Sequence, residues 1–163
     1  MKLKHIFAAG LVAAAPVAAL AGPAINGAGA SFPAPIYQRW FADYARATGN
    51  RVNYQSVGSG SGVRQFIAGT INFGASDEAI SAADAAKVKR GVVQIPMVGG
   101  TIAIAYNKPG CNLKLTQKQA VDIFAGRIKN WNQVGCAAGP VVVVHRSDGS
   151  GTTYAFTNSL RAF

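Results

Sequence analysis

Three short turns of small, hydrogen-bonding residues carry the most specific chemistry in this sequence. They are GAGASFPAP (27–35), VGSGSGVRQ (57–65) and RSDGSGTTYAF (146–156), and each precedes a predicted helix. Unpaired N–H groups and partial positive charge make a helix N-terminus suitable for binding an anion. In the third turn Arg146 adds a planar guanidinium that can pair two oxygens of one anion. Taken singly, each turn is better explained as a loop or a helix cap, and Arg146 with Asp148 as a loop ion pair.

Predicted strands and helices alternate along the chain, which indicates an α/β fold with a largely parallel sheet. The helix that follows Pro33 ends at Gly49, and a capping box of Thr116 and Gln119 opens another helix through Phe124. The run of four valines before Arg146 is typical of a strand covered on both faces. The predicted strands are 51–57, 71–76, 92–95, 101–106 and 141–144. Three further helices are predicted: one directly after the GSGSG turn, one over 81–90 and one that starts near residue 152. Segment 27–30 is predicted to be a glycine-rich turn.

The first part of the chain is predicted to be a secretory signal peptide. Lys2 and Lys4 precede an uncharged stretch, residues 6–20, and Ala19-Leu20-Ala21 has the small-x-small pattern of a cleavage site. A membrane anchor is the alternative, but the apolar run is short for a bilayer span and consists mostly of alanine. We therefore expect cleavage after Ala21, a periplasmic or secreted location and no stable membrane insertion.

The charge of the chain is strongly positive, with a formal net charge of +10. Excess positive charge suggests an anionic partner or surface. The cations are scattered, however, and the densest group, Lys87, Lys89 and Arg90, lies on a predicted helix as a solvated face. We therefore expect no nucleic-acid partner.

Two cysteines, Cys111 and Cys136, are present in a chain that is predicted to be exported. An oxidising compartment favours a disulfide between them, and two independent small buried residues are the alternative. The mature part of the chain has one histidine, His145, and its six carboxylates are spread without the spacing of metal ligands. We expect neither a metal site nor a cofactor.

The three turns and the strand end FGASD (73–77), taken together and in this order, resemble one family. It is the family of periplasmic phosphate-binding proteins of the high-affinity phosphate ABC transporter, and the resemblance covers the chain from about Ile25 to Phe163. Its members have the two-lobed fold of type 2 periplasmic binding proteins, with largely parallel sheets and the anion held between the lobes. The resemblance therefore implies this fold here.

The resemblance also implies a set of phosphate contacts. Main-chain N–H groups of Ser31 and Phe32 would bind one oxygen, although the family often has threonine where this chain has Ser31. Asp148 would orient the arginine of the second lobe. The remaining implied phosphate-binding residues are Ser59, Asp77, Arg146, Ser150, Gly151 and Thr152.

Asp77 is the most informative of these residues, because a carboxylate in an anion site should repel the ligand. The arrangement is favourable only when the ligand carries a proton to donate. Phosphate does so at neutral pH and sulfate does not, so Asp77 predicts discrimination by rejection of the wrong anion.

The resemblance covers only the N-terminal part of a family whose members are roughly twice as long. It divides the chain into the signal peptide (1–21), the first part of lobe one (22–98) and an opening part of lobe two (99–163). The sequence stops inside a predicted helix, so the fold is expected to be incomplete at the C-terminus. We expect either a truncated product or fragment, or a chain that completes itself by oligomerising.

The function implied is that of an exported solute-binding protein, not an enzyme, that delivers inorganic phosphate to the membrane permease of an ABC transporter. The alternatives are an exported phosphatase and a surface or adhesion protein that reuses the fold. A phosphatase needs a metal cluster or an activated nucleophile, and Ser31 or Ser150 would lack an evident base.

Overall fold

The computed structural model describes residues 24–147 and 149–160, so the predicted signal peptide and Asp148 lie outside the described residues. Its centre is a three-stranded parallel sheet in the order β2-β1-β3. One helix makes each crossover between consecutive strands. The elements of this unit are β1 (Ile25–Gly29), α1 (Ala34–Thr48), β2 (Val52–Ser56), α2 (Ser59–Ala68) and β3 (Phe73–Ala75).

Aromatic side chains bind α1 to the sheet. The Tyr37 ring meets the Tyr54 ring edge-on at 5.2 Å, and Phe41 meets Phe73 at 5.9 Å. The Tyr54 hydroxyl donates to the carbonyl of Ala30 at 2.6 Å, and burial raises the pKa of Tyr54. Tyr37 and Phe41 of α1 therefore pack against the sheet, and the Tyr54 hydrogen bond holds the segment after β1 in place.

The predicted turn at 27–30 is wrong, because its glycines lie at the end of β1. A Cβ on Gly27 would lie 2.1 Å from the Phe73 ring, and one on Gly29 would lie 2.0 Å from the Ala75 carbonyl oxygen. Gly29 also has a φ of 146°, which disfavours side chains. These glycines allow β3 to approach β1 closely, and they do not reverse the direction of the chain.

Four further helical segments follow. The capping box is confirmed, since the Thr116 hydroxyl accepts from the Gln119 N–H and the Gln119 side chain accepts from the Thr116 N–H. The helix predicted for 81–90 is shorter than expected, because the N–H groups of Val88 and Gly91 bond three residues back in separate turns. The segments are α3 (Ala82–Ala85), α4 (Gln117–Phe124), a 3-10 turn (Trp131–Val134) and α5 (Gly151–Leu160). Among the described helices, none has the length and apolar character needed to cross a membrane.

The strands predicted at 92–95, 101–106 and 141–144 are wrong. The described backbone there is neither strand nor helix, and Val93 and Val144 are each 84% exposed. A β-strand needs a neighbouring strand to pair with its main-chain hydrogen-bonding groups, and a local run of apolar residues does not show whether such a neighbour exists. An isolated antiparallel bridge between Asn130 and Pro140 lies just before the four valines.

A disulfide joins Cys111 and Cys136 in the structure, with 5.4 Å between their Cα atoms. The Lys108 ammonium donates to the carbonyl of Ala138 at 3.2 Å within the same loop region. The bridge closes a loop across a sequence separation of 25 residues.

We expect exported protein, unfolded without reductant, to show no free thiols in a quantitative thiol assay. The bridge should stabilise the fold by roughly 3 kcal/mol through its constraint on the unfolded chain. Chain pre-treated with reductant is the control, and two free thiols per untreated chain would contradict the expectation.

Asp122 on α4 is expected to make the fold sensitive to acid. Its carboxylate accepts from Lys118 and Arg127, each at 2.6 Å, and both hydrogen bonds lower the pKa of Asp122. A carboxyl whose pKa is lower in the folded state adds stability above its unfolded pKa and loses it as the pH falls through its folded pKa. Asp122→Asn should therefore unfold at lower urea concentration near neutral pH, and its deficit should shrink in acid. A deficit that is independent of pH would contradict this expectation.

Candidate functional site

The carboxyl ends of the three strands meet at one edge of the sheet, the edge where open α/β folds bind ligands. The Gly29 carbonyl accepts from the N–H groups of Val57 and Gly58, at 3.1 and 2.9 Å, and so ties β1 to the turn after β2. The N–H of Ala30 donates to the Ala75 carbonyl at 2.9 Å and ties β1 to β3. The segments that follow all three strands therefore lie side by side.

Ser59 is the first residue of α2 and is only 2% exposed. Its hydroxyl oxygen accepts from the main-chain N–H of Asp77 at 3.2 Å. Gly58 before it has a φ of 86°, a conformation for which glycine is suited. Because the Ser59 oxygen already accepts a hydrogen bond, its O–H is left to donate to a ligand.

Asp77 follows β3 and presents its two carboxylate oxygens differently. Oδ2 accepts from the Thr152 hydroxyl at 2.9 Å. Oδ1 is buried and has no hydrogen-bond partner among the described residues. A buried acceptor without a donor is costly, so this oxygen is available to accept a hydrogen bond from a protonated ligand. Burial, and then the Asp77 charge, raise the pKa of the neighbouring Glu78.

The turn before α5 packs directly on these groups. The Gly149 carbonyl accepts from the N–H of Gly60 at 2.8 Å. The Ser150 hydroxyl oxygen accepts from the Thr153 N–H at 3.2 Å, which caps α5 and leaves the buried O–H to donate. A Cβ on Gly151 would lie 2.4 Å from the Ser59 hydroxyl oxygen, so a glycine is needed there.

The structure thus brings Ser59, Asp77, Gly151 and Thr152 into contact, with Ser150 beside them. Asp77 thus lies against the first residues of α2 and α5, and the hydroxyls of Ser59 and Ser150 each keep a proton that no hydrogen bond among the described residues uses. The arrangement suits an anion that carries a proton.

The other predicted contact residues are less buried. Ser31 follows Ala30 at the same sheet edge, and its carbonyl accepts from the Ala34 N–H at 3.2 Å. Phe32 is 45% exposed, and its ring lies 3.3 Å from a Cβ built on Gly100. Arg146 is exposed in the loop before α5, and Asp148 lies outside the described residues.

Sequence reasoning missed the main-chain contact between Gly60, in the first turn of α2, and Gly149, in the turn before α5. Both residues belong to motifs that the sequence predicts to be turns facing a ligand, GSGSG and DGSG. Contact between the two motifs is not part of that prediction. The repeated glycines were the available signal, because two main chains can approach closely only where side chains are small.

Comparison with known proteins decides the family. A family model described as the PBP superfamily domain matches residues 14–163, which is most of the chain. The chain belongs to the PBP superfamily. Two solved structures share its fold: a phosphate ABC transporter substrate-binding protein from Clostridium perfringens, solved with bound phosphate (TM-score 0.64, 19% identity), and an ABC-type phosphate transport receptor from Vibrio cholerae (TM-score 0.60, 23% identity). Each match covers 85% of this chain and 56% of the solved one. The predicted type 2 periplasmic-binding-protein-like fold is confirmed.

Curated relatives of this PBP-superfamily chain include a phosphate-binding protein PstS from Haemophilus influenzae, 48% identical over 149 residues. That match covers 83% of this chain and 44% of the relative. The chain is also 31% identical over 186 residues to alkaline phosphatase L from Pseudomonas aeruginosa, covering 99% of this chain and 46% of the relative. The PBP-superfamily chain therefore spans less than half the length of these curated relatives, and those at the highest identity are binding proteins rather than enzymes.

Proposed function

We propose that this chain binds inorganic phosphate as part of an exported solute-binding protein that serves an ABC importer. The observation that carries the proposal is the buried Asp77 Oδ1, an acceptor without a partner among the described residues, at the N-termini of two helices. The names of the H. influenzae relative and of the C. perfringens structure support phosphate as the ligand.

The chemistry of the site favours the hydrogen phosphate dianion. Its negative oxygens suit the hydroxyls of Ser59 and Ser150 and the helix N-termini. Its single proton suits Asp77 Oδ1, which has no hydrogen-bond partner among the described residues. Sulfate offers the same negative oxygens but has no proton at neutral pH, so it would leave two acceptors facing each other. Phosphate is therefore the better ligand, because it can donate a hydrogen bond to Asp77 and avoids the repulsion between Asp77 and an unprotonated oxygen of sulfate.

Further parts of the site belong to the proposal as well. Residues 22–98 would form the first part of one lobe and residues 99–163 the opening part of the second, with the anion between them. The N–H groups of Ser31 and Phe32 would complete the first wall. Arg146, oriented by Asp148, would complete the second wall, since its guanidinium can pair two phosphate oxygens.

The cellular setting is proposed on the same basis. Removal of residues 1–21 would release the chain into the periplasm or the medium, where it would hand phosphate to a membrane permease. We propose a binding protein rather than an enzyme. The resemblance to alkaline phosphatase L makes phosphatase activity the second candidate.

Two assays on one preparation separate these candidates. Equilibrium dialysis with radiolabelled phosphate should show saturable retention by the purified chain, and hydrolysis of p-nitrophenyl phosphate should stay at the level of buffer. Hydrolysis that copurifies with the chain and is lost in Ser59→Ala or Ser150→Ala would favour the phosphatase. Absence of saturable retention at millimolar phosphate would contradict the proposed function.

We expect the affinity of the isolated chain to be weaker than the micromolar range. Arg146 lies on an exposed loop, and the four valines before it are not part of a sheet, so ordering that wall would subtract from the binding energy. Exposed apolar side chains such as Val93, Val142 and Val144 should also promote association. Titration calorimetry with light scattering tests this, and a monomer that binds in the micromolar range or tighter would overturn it.

A further inference from the structure

The carboxylate of Asp122 lies beneath two cations that face the solvent. It accepts from Lys118 Nζ and from Arg127 Nε, each at 2.6 Å. The Asp122 side chain is only 12% exposed, whereas the side chains of Lys118 and Arg127 are 84% and 60% exposed. The negative charge is therefore covered, and this part of the surface is positive.

Further cations belong to the same part of the chain, the segment 106–141. Between residues 85 and 147 the sequence has no carboxylate other than Asp122 to offset their charge. Neither the Lys114 nor the Lys129 side chain enters an ion pair among the described residues. We name this segment the basic unit, and its five cations are Lys108, Lys114, Lys118, Arg127 and Lys129.

Several contacts hold the basic unit together. A disulfide closes it across a sequence separation of 25 residues. The Lys108 ammonium donates to the carbonyl of Ala138 at 3.2 Å, and the carbonyl of Lys129 accepts from the Val141 N–H at 2.9 Å. Cations that are distant in sequence are thereby held in one cross-linked unit.

The densest group of cations in the sequence is, by contrast, engaged within the fold. Lys87 donates to the Asp84 carboxylate at 2.7 Å. Arg90 donates to the carbonyl of Ile71 at 2.7 Å, and its guanidinium lies 4.4 Å from the centre of the Phe66 ring. This group therefore provides a comparison for the basic unit, with similar residue types in a different setting.

We propose that the basic unit binds the surface of a membrane that contains anionic phospholipids, without insertion. Four of its five cations are lysines, whose compact charges on flexible stems suit a diffuse anionic surface. Protein interfaces are instead enriched in arginine and depleted in lysine, so the composition favours lipid over an acidic protein. Trp131, whose ring centre lies 6.3 Å from that of Tyr106, adds an aromatic side chain of the kind found at the level of lipid headgroups. This inference does not depend on the proposed phosphate site.

The test is co-sedimentation of the purified exported chain with sucrose-loaded vesicles. Vesicles of phosphatidylglycerol and phosphatidylcholine in equal parts are compared with vesicles of phosphatidylcholine alone. Each cation near an anionic membrane contributes about fivefold to binding, so Lys114→Gln with Lys129→Gln should weaken binding about twentyfold. The control, Lys87→Gln with Lys89→Gln, changes the net charge equally at the other group and should bind as the wild-type chain does.

Binding that requires phosphatidylglycerol, weakens with added salt and falls only in the Lys114 and Lys129 variant would support the proposal. Equal binding to phosphatidylcholine vesicles would overturn it, because apolar side chains would then carry the binding. Equal losses in both double variants would overturn it too, because net charge rather than the basic unit would then decide.

Two further arms identify the ligand. Phosphate that releases the chain from vesicles more strongly than sulfate at equal ionic strength would place a lipid headgroup in the anion site and would contradict the proposal. Absence of binding to either kind of vesicle would also contradict it. Retention of the chain by polyglutamate, dependent on Lys114 and Lys129, would in that case assign the basic unit to an acidic protein.

Discussion

Asp77→Asn is expected to lower the ratio of phosphate to sulfate affinity by about ten- to a hundredfold, the range of one hydrogen bond to a charged group. The carboxylate has one buried oxygen without a partner among the described residues, and that oxygen would repel an anion without a proton. The asparagine amide can donate as well as accept, so it removes the repulsion of sulfate. Competition titration of both anions against the variant measures the ratio.

Glu78→Gln is the matched control for this prediction. It removes the same charge from the adjacent residue, whose carboxylate lies near Asp77. A change in the general field of the site would alter both anion affinities alike and leave their ratio unchanged. If the ratio of phosphate to sulfate affinity stays at the wild-type value in Asp77→Asn, or falls equally in Glu78→Gln, then Asp77 does not discriminate between anions by accepting the ligand proton.

Gly151→Ala is expected to weaken phosphate binding at least tenfold. The added Cβ would lie 2.4 Å from the Ser59 hydroxyl oxygen and 2.8 Å from the Asp77 Cβ, so α5 must move away from β3. Overpacking of this kind costs about 1–3 kcal/mol, and here the displacement would separate the groups that are proposed to hold the anion. The same titration measures the loss, and amide spectra report whether the fold persists.

Gly99→Ala is the matched control, because a Cβ at Gly99 would meet no atom within 4 Å. It should bind phosphate as the wild-type chain does. A Gly151→Ala variant with wild-type affinity would show that the contact between α5 and Ser59 is not part of the site.

Local signals in the sequence were sufficient for part of the fold. Gly49 ends α1 in the left-handed conformation that its position predicted, and the capping box of Thr116 and Gln119 opens α4. The alternation in 51–57 yielded β2, which pairs along its whole length with β1. Each of these features depends on residues that are close together in sequence.

The errors share a physical cause, since they concern features that depend on distant neighbours. The four valines at 141–144 have the composition of a strand, but Val142 and Val144 are exposed and the segment pairs with no strand among the described residues. Gly27 and Gly29 have the composition of a turn, but they lie in β1 because Phe73 and Ala75 require the space. Neither neighbour is identifiable from the local sequence.

The candidate site shows the same division. The chemistry of Ser59, Asp77 and Ser150 follows from residue type, and their grouping came from the resemblance to a family. The hydrogen bond from Thr152 to Asp77 spans 75 residues and could not be found from spacing. The contact of Gly60 with Gly149 is equally remote, so the arrangement around the buried oxygen required the structure.

The most direct test of the central claim is a phosphate titration of the wild-type chain followed by amide NMR spectra, with sulfate as the parallel titrant. We predict saturable shifts at the main-chain N–H groups of Ser59, Gly60, Asp77, Gly151 and Thr152, with much smaller shifts from sulfate at the same concentration. Ser59, Gly151 and Thr152 lie against Asp77, and Gly60 follows Ser59 in the first turn of α2. Shifts of equal size from both anions, or phosphate shifts confined to other parts of the chain, would contradict the account.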